Sequence, residues 1–354
     1  MNINIPENKK LITPDNECFE YMGRIDFDDP SEPVFIWAAS TADINFTGTS
    51  CAVILNNIPF FTPTHFGALV DGVMQKFFLK DGEQLISLAE GLEDGPHTLK
   101  LVKTMGAFNY VGFKGLLIDK NAEVSKPDHK YDLKLEVYGD SVSAGEVVED
   151  IYYEGVDDRR DHHVDHTADN AYFSYPMILA RRLNAELHDV AQGGIALLDN
   201  AGFFPDEDHL TGMESCYDKL RYSPLGERKQ WDFSRYTPDI VIIAIGQNDH
   251  KSGHKPNGAK IDTPEFRKYW KDHYKAMLSD LMGKYPNARF ILMLTIMVHE
   301  PTWDKLIEEI SNEVNSERVT YFRFTRTGAA TVGHPRAVEQ SEMAAELCRY
   351  IGHL

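Results

Sequence analysis

The chain has 354 residues, 42% hydrophobic and 26% charged, an ordinary globular composition and a length at which two cores are expected rather than one. Asp and Glu number 55 against 36 Lys and Arg, a formal charge of -19 that repels phosphate backbones and anionic lipid surfaces. Nucleic acid and membranes are thereby excluded as expected partners, whereas neutral molecules such as sugars are not.

The first ten residues, MNINIPENKK, lack the continuous apolar core and small-residue cleavage site of a secretory signal. The most apolar stretch, 240–245, has a strand's length, far below the roughly 20 residues of a membrane-spanning helix. Cys18, Cys51, Cys216 and Cys348 are scattered without a C-x-x-C pair, as reduced thiols would be. A cytoplasmic location is the expectation.

Residues 34–37, 52–55, 68–70, 76–79 and 98–102 are β-type runs, separated by Gly48-Thr49, Asp71-Gly72, Asp81-Gly82 and Asp94-Gly95-Pro96. Turns at this spacing predict an all-β sandwich or jelly-roll domain over 1–122. The polar stretch 123–132, with its Lys, Ser and Pro, reads as a linker.

From 133 to 354 the pattern becomes α/β. Buried-strand runs fall at 133–138, 186–191, 240–245 and 290–296, with helical patterns between several of them. In the clearest helix, Phe266, Tyr269, Trp270, Tyr274, Met277, Leu278, Leu281 and Met282 recur at three- and four-residue steps after the cap-like Thr263-Pro264-Glu265. Such alternation predicts a parallel sheet covered on both faces, whose ligands bind beyond the carboxyl ends of the strands.

Chemistry is therefore sought just after each strand. The first runs into Gly139-Asp140-Ser141-Val142-Ser143-Ala144-Gly145, a turn that would project a serine hydroxyl at the sheet rim, with backbone N–H groups facing developing negative charge. Alone it could be an ordinary Ser turn. The second strand is followed by Gln192-Gly193-Gly194, where a glycine N–H can approach an oxyanion without a side chain in the way, and the third by Gly246-Gln247-Asn248-Asp249. Gly333-His334-Pro335 precedes a final helix near 338–347.

Gly-Asp-Ser, a later glycine, Gly-x-Asn-Asp and a late His-Pro resemble the four blocks of the SGNH, or GDSL-type, hydrolases, esterases and lipases with a flavodoxin-like three-layer α/β/α fold. The front domain, through Phe46-Thr47-Gly48-Thr49-Ser50, Leu69-Val70-Asp71-Gly72 and 94–103, is similar to carbohydrate esterase family two, whose members deacetylate plant polysaccharides. With Asn170-Ala171-Tyr172-Phe173-Ser174-Tyr175-Pro176 and 180–186 the resemblance covers nearly the whole chain.

The resemblance implies Ser141 as nucleophile, His334 as its base, and an oxyanion hole from the Ser141 N–H, Gly194 and Asn248, with Gly193 as the neighbouring alternative to Gly194. Asp140 would brace the turn, contact with substrate being its other role. Many SGNH enzymes carry an aspartate three residues before the histidine; here that position is Thr331, so a backbone carbonyl of Val332 or Gly333 is expected to orient the imidazole, as in family-two members that work with a Ser-His dyad. An acidic group from elsewhere in the fold is the alternative. Acetylated hemicellulose oligosaccharides, mannan-derived first and xylan-derived second, are the implied substrates, with no cofactor and no metal. Assembly into a homo-oligomer stays open.

Rival readings attach to other segments. Asp157-Asp158-Arg159-Arg160-Asp161-His162-His163-Val164-Asp165-His166 is rich in metal-binding types, but it lacks helical His spacing and reads as a solvated loop. Sugar-stacking candidates are Tyr152, Tyr153, Trp231 and above all Trp303, which follows the fourth strand; Trp270 falls on the helical core stripe. The alternatives in function are a GDSL-type lipase or thioesterase acting on longer acyl chains and a noncatalytic carbohydrate-binding protein.

Overall fold

The structure, a computed structural model, describes residues 3–60, 63–107, 109–150, 166–203, 211–222, 228–250 and 263–354. Alternating burial along two long strands, Thr41–Ile58 and Gly82–Val102, organises the N-terminal domain. They pair antiparallel from Thr41 opposite Val102 to Asn57 opposite Gly82, and Tyr110–Asp119 pairs on the other side of Thr41–Ile58. Among the described residues, ten strands join this network around Phe35, Phe46, Val53, Phe66, Leu101 and Phe113, all buried.

Two expected turns are not turns. Gly48 lies opposite Gly95 and Thr47 opposite Pro96, inside continuous strands, with a register irregularity between Gly48 and Ser50. Gly48 has φ 108°, so the residue types that suggested turns absorb a bulge instead. Asp71-Gly72 does turn the chain, from Thr64–Val70 into Val73–Leu79, with φ 51° and 78°. The linker also begins later than expected, because Val124–Ser125 pairs with Phe46 and Asn45 of the first sheet.

The second domain is built on five parallel strands in the spatial order Ala185–Ala191, Leu133–Gly139, Ile240–Ala244, Arg289–Leu292 and Val319–Tyr321. This is the flavodoxin-like order, with its switch point beside the first strand. Val319–Tyr321 escaped the sequence reading because three residues carry no periodicity. Inward alternation sends Tyr138, Val241, Ile243 and Leu292 to the face covered by Pro264–Lys284 and Thr302–Val314. Val137, Ile242 and Ala244 face Tyr175–Leu183 and Ala337–Ile351 on the other side. Thr263 caps its helix as expected, its Oγ1 accepting from Phe266 N at 3.3 Å. Among the described residues, no helix is long and apolar enough to cross a membrane.

Candidate active site

The strand Leu133–Gly139 ends in a turn that leaves no room for a side chain at its last residue: a methyl at Gly139 would lie 2.1 Å from Ser143 Oγ. Asp140 then caps the short helix Ser141–Ala144, its Oδ1 accepting from Val142 N at 3.1 Å. As the first helical residue, Ser141 keeps its own N–H outside the intrahelical ladder. Gly145 closes the turn at φ 73°, where a methyl would lie 2.7 Å from Asn170 O.

His334 arrives 193 residues later, and its Nε2 lies 2.8 Å from Ser141 Oγ. Both side chains are buried. A hydroxyl can donate to a neutral imidazole at this distance, the ground-state geometry of a nucleophile and its base. The contact is fixed by Gln340, whose Nε2 donates to Val142 O at 3.1 Å while its Oε1 accepts from Tyr175 N at 2.8 Å. Arg336 Nη1 donates to the His334 carbonyl at 2.7 Å, and Glu339 accepts from Arg336 N at 3.1 Å and from Thr331 N at 2.6 Å.

The expected carbonyl brace is not formed: among the described residues, neither Val332 nor Gly333 offers its carbonyl to His334 Nδ1. The Glu339 and Arg336 contacts hold this turn from the helix side, with Gly333 at φ 103° and Val332 half exposed. Gln340 and Arg336 were missed by sequence reasoning. Gln340 left a signal, as a polar residue three, four and seven positions before the buried Met343, Ala344 and Leu347.

The loops after the second and third strands meet beside Ser141. Asn248 Nδ2 donates to Ile195 O at 2.9 Å and points toward Asp140 Oδ2 at 3.4 Å. Asp249 ties the two loops together, accepting from Leu197 N and Leu198 N at 2.8 and 3.0 Å. The two glycines differ. Gly194 is half-buried at φ 69°, whereas Gly193 is packed so closely that a methyl would lie 1.5 Å from Glu146 Oε1. Among the described residues, neither the Ser141 nor the Gly194 N–H is used in a backbone hydrogen bond.

Burial pushes the Asp140 carboxyl up to about 7 against the pull of Val142 N–H, His334 and Gln247, with Glu146 adding to the rise. Asp249 is likewise pushed up to about 7 by burial, opposed by the Leu197 and Leu198 N–H groups. Glu146, His166 and Asp169 bring ligand-type atoms within 4.8 Å of one another. His166 Nδ1 is 2.6 Å from Asp169 Oδ2, and Asp169 Oδ1 accepts from Val147 N at 2.8 Å. Of the Asp/His-rich segment only His166 is described; Tyr152, Tyr153 and residues 157–165 lie outside the described residues.

The two aromatic candidates among the described residues, Trp303 and Trp231, are both buried in the core. Trp303 is buried in the helix Thr302–Val314 with its ring 5.2 Å from that of Trp270, in the core that covers Ile243 and Leu292 on one face of the sheet. Trp231 is buried beside His188 and beneath the Arg24 and Arg235 guanidinium groups. A cleft of ≈ 520 Å³ between the domains, lined by Met22, Leu99, Tyr131 and Arg181, lies beside Asn184 and Ala185 at the amino end of the sheet, opposite Ser141.

Residues 21–127 match the carbohydrate esterase 2 N-terminal family, and residues 137–321 the GDSL-like lipase/acylhydrolase family. The chain is similar to the cellulase/esterase CelE of Acetivibrio thermocellus, 26% identical over 96% of this chain and 40% of that protein. It is also similar to an acetylxylan esterase / glucomannan deacetylase of Cellvibrio japonicus, 27% identical over 60% of this chain and 55% of that one. The chain thus matches about half the length of these curated relatives. Among solved structures, a family two carbohydrate esterase from Clostridium thermocellum in complex with cellohexaose superposes with a TM-score of 0.77 at 26% identity, covering 95% of this chain and 98% of that one. A family two carbohydrate esterase from Cellvibrio japonicus, at 20% identity and a TM-score of 0.79 over 98% of this chain and 97% of that one, shares the fold. With the second family match spanning more than half its length, the chain belongs to the GDSL-like lipase/acylhydrolase family and carries a carbohydrate esterase 2 N-terminal domain ahead of the catalytic fold.

Proposed function

We propose that the chain is a carbohydrate esterase that removes O-acetyl groups by a serine acyl-enzyme route. The observation that carries this reading is the 2.8 Å contact between His334 Nε2 and Ser141 Oγ, beside the carboxyl ends of parallel strands. In the first step Ser141 Oγ bonds to the acetyl carbon while its proton passes to His334 Nε2, and the carbonyl electron pair moves onto oxygen. The Ser141 and Gly194 N–H groups and Asn248 Nδ2 are the donors for that oxyanion. Collapse breaks the bond between the acyl carbon and the sugar oxygen, which takes the proton from His334. Water then attacks acetyl-Ser141, gives a proton to His334, and releases acetate as Ser141 recovers that proton.

Acetylated hemicellulose oligosaccharides are the proposed substrates, mannan-derived first and xylan-derived second. A relative named as acetylxylan esterase / glucomannan deacetylase supports the class, and a charge of -19 suits neutral sugars. The test is acetate release from acetylated manno- and xylo-oligosaccharides, followed by mass spectrometry, together with hydrolysis of p-nitrophenyl esters. Wild type releases acetate, prefers short acyl chains and loses activity in Ser141→Ala. Retained activity in that variant overturns the mechanism; turnover rising with acyl length overturns the substrate class in favour of a lipase.

A further inference from the structure

The loop that carries Gly194 is backed by the other domain. A methyl built on Gly106 would lie 3.3 Å from Gln192 Cα, 3.4 Å from Gly193 N and 3.5 Å from Ala144 Cβ. Backbone of the N-terminal domain therefore lies close to both the glycine loop and the helix that starts at Ser141, with room between them for no more than a methyl. Gly193 also meets the Glu146 carboxylate, where a methyl would lie 1.5 Å from Oε1, so its backbone is held between Glu146 and the Gly106 tract.

The tract bearing Gly106 is held by a buried amine. Lys103 is 1% exposed, and its Nζ donates to the carbonyls of Met105, at 3.1 Å, and of Gly106. Its backbone pairs with the domain behind it, Lys103 N donating to Ser40 O at 2.9 Å and Lys103 O accepting from Ala39 N at 3.0 Å. Thr104 joins the tract to the catalytic domain, its carbonyl accepting from Ala171 N at 2.8 Å. Burying an amine against two neutral backbone carbonyls is costly, and an apolar side chain would fill the space without that cost. What Lys103 does that an apolar residue cannot is draw two successive carbonyls inward and set the path of the backbone at Gly106.

We propose that Lys103 and Gly106 are positioning residues for the oxyanion hole, delivered by the N-terminal domain, and that they set how far the Gln192–Gly194 backbone stands from Ser141. The inference rests on the serine-esterase reading above. The N-terminal domain on this account is part of the catalytic apparatus through its backbone.

The test compares wild type, Gly106→Ala, Lys103→Met and Lys103→Gln with p-nitrophenyl acetate and with a boronic acid that forms a tetrahedral adduct on a nucleophilic serine. The alanine methyl obliges Gly193 or its neighbours to give by a few tenths of an ångström. A displacement of that size at a preorganised site lowers kcat about 10-fold. Boronate affinity falls by the same factor, KM stays within about 2-fold, and Lys103→Gln, which keeps a donor, recovers part of what Lys103→Met loses. Variants that lose thermal stability but keep kcat and boronate affinity overturn the proposal, and if Gly106→Ala does not fold, the two Lys103 variants decide it by the same criterion. A wild type that neither binds the boronate nor depends on Ser141 refutes the esterase reading instead.

Discussion

The guanidinium of Arg24 meets the carboxylate of Glu136 at 2.8 Å with both side chains fully buried, an ion pair between the N-terminal domain and the strand Leu133–Gly139 that leads to Ser141. Arg24 also donates to Tyr138 OH at 2.7 Å and to the Tyr217 carbonyl at 2.6 Å, so little of its hydrogen-bonding capacity is left unmet. A pair of this kind adds little over a well-packed apolar pair, but removing one partner strands the other charge in the interior. Arg24→Met should cost about 3–5 kcal/mol in urea unfolding, and Arg24→Met with Glu136→Gln should recover much of it. A single-variant loss below about 1 kcal/mol would mean that the interface relaxes around the lone carboxylate.

Asn248 is the proposed side-chain donor to the oxyanion. Asn248→Ala should lower kcat on p-nitrophenyl acetate about 100- to 1,000-fold with little change in KM, since loss of one preorganised donor has that effect on a transition state formed only during reaction. Equal loss in KM and kcat would instead assign Asn248 to ground-state binding.

Asp140 links the site to pH. Its carboxyl is held at about 7 in the folded chain against 3.8 for an ordinary aspartate, so the fold prefers the protonated form. The stability this contributes is fully present below about pH 4 and is lost as pH rises through about 7. Subtracting the pH–stability curve of Asp140→Asn from that of wild type isolates this carboxyl from Asp249, which titrates in the same direction. A flat difference between pH 4 and 7 would contradict the assignment.

Trp303 belongs to the core on this structure. Trp303→Ala should destabilise the protein by about 3–5 kcal/mol, as a large aromatic truncation does, while leaving KM for an acetylated oligosaccharide within about 2-fold in the folded fraction. A selective rise in KM would return this residue to the sugar-binding surface.

Glu146, His166 and Asp169 could be taken for a metal-dependent centre. The proposed chemistry asks nothing of an ion, because each proton is carried by His334. Dialysis against a chelator is therefore expected to leave acetate release unchanged, and a loss restored by a divalent cation would revise the mechanism.

The α/β succession and the residues at the strand ends were legible because they are local. Burial on both faces of a parallel sheet leaves continuous apolar runs such as 240–244, and a turn that must carry Ser141 without clashing demands the glycines on either side. Gly48 and Pro96 misled because the residue types that end a strand also sit in a bulge, and only the partner strand, which sets Gly48 against Gly95, distinguishes the two. Trp303 misled because position after a strand does not say which face a side chain takes.

The sequence by itself determined which groups stand at each strand end, since periodicity and turn chemistry act over a few residues. The tertiary structure alone decided that Gln340 ties Val142 to the helix Ala337–Ile351, that Glu339 and Arg336 hold the backbone around His334, and that Gly106 lies close to Gly193 from another domain. Contacts between segments up to two hundred residues apart depend on how two cores are packed together, and chain order carries no record of that distance.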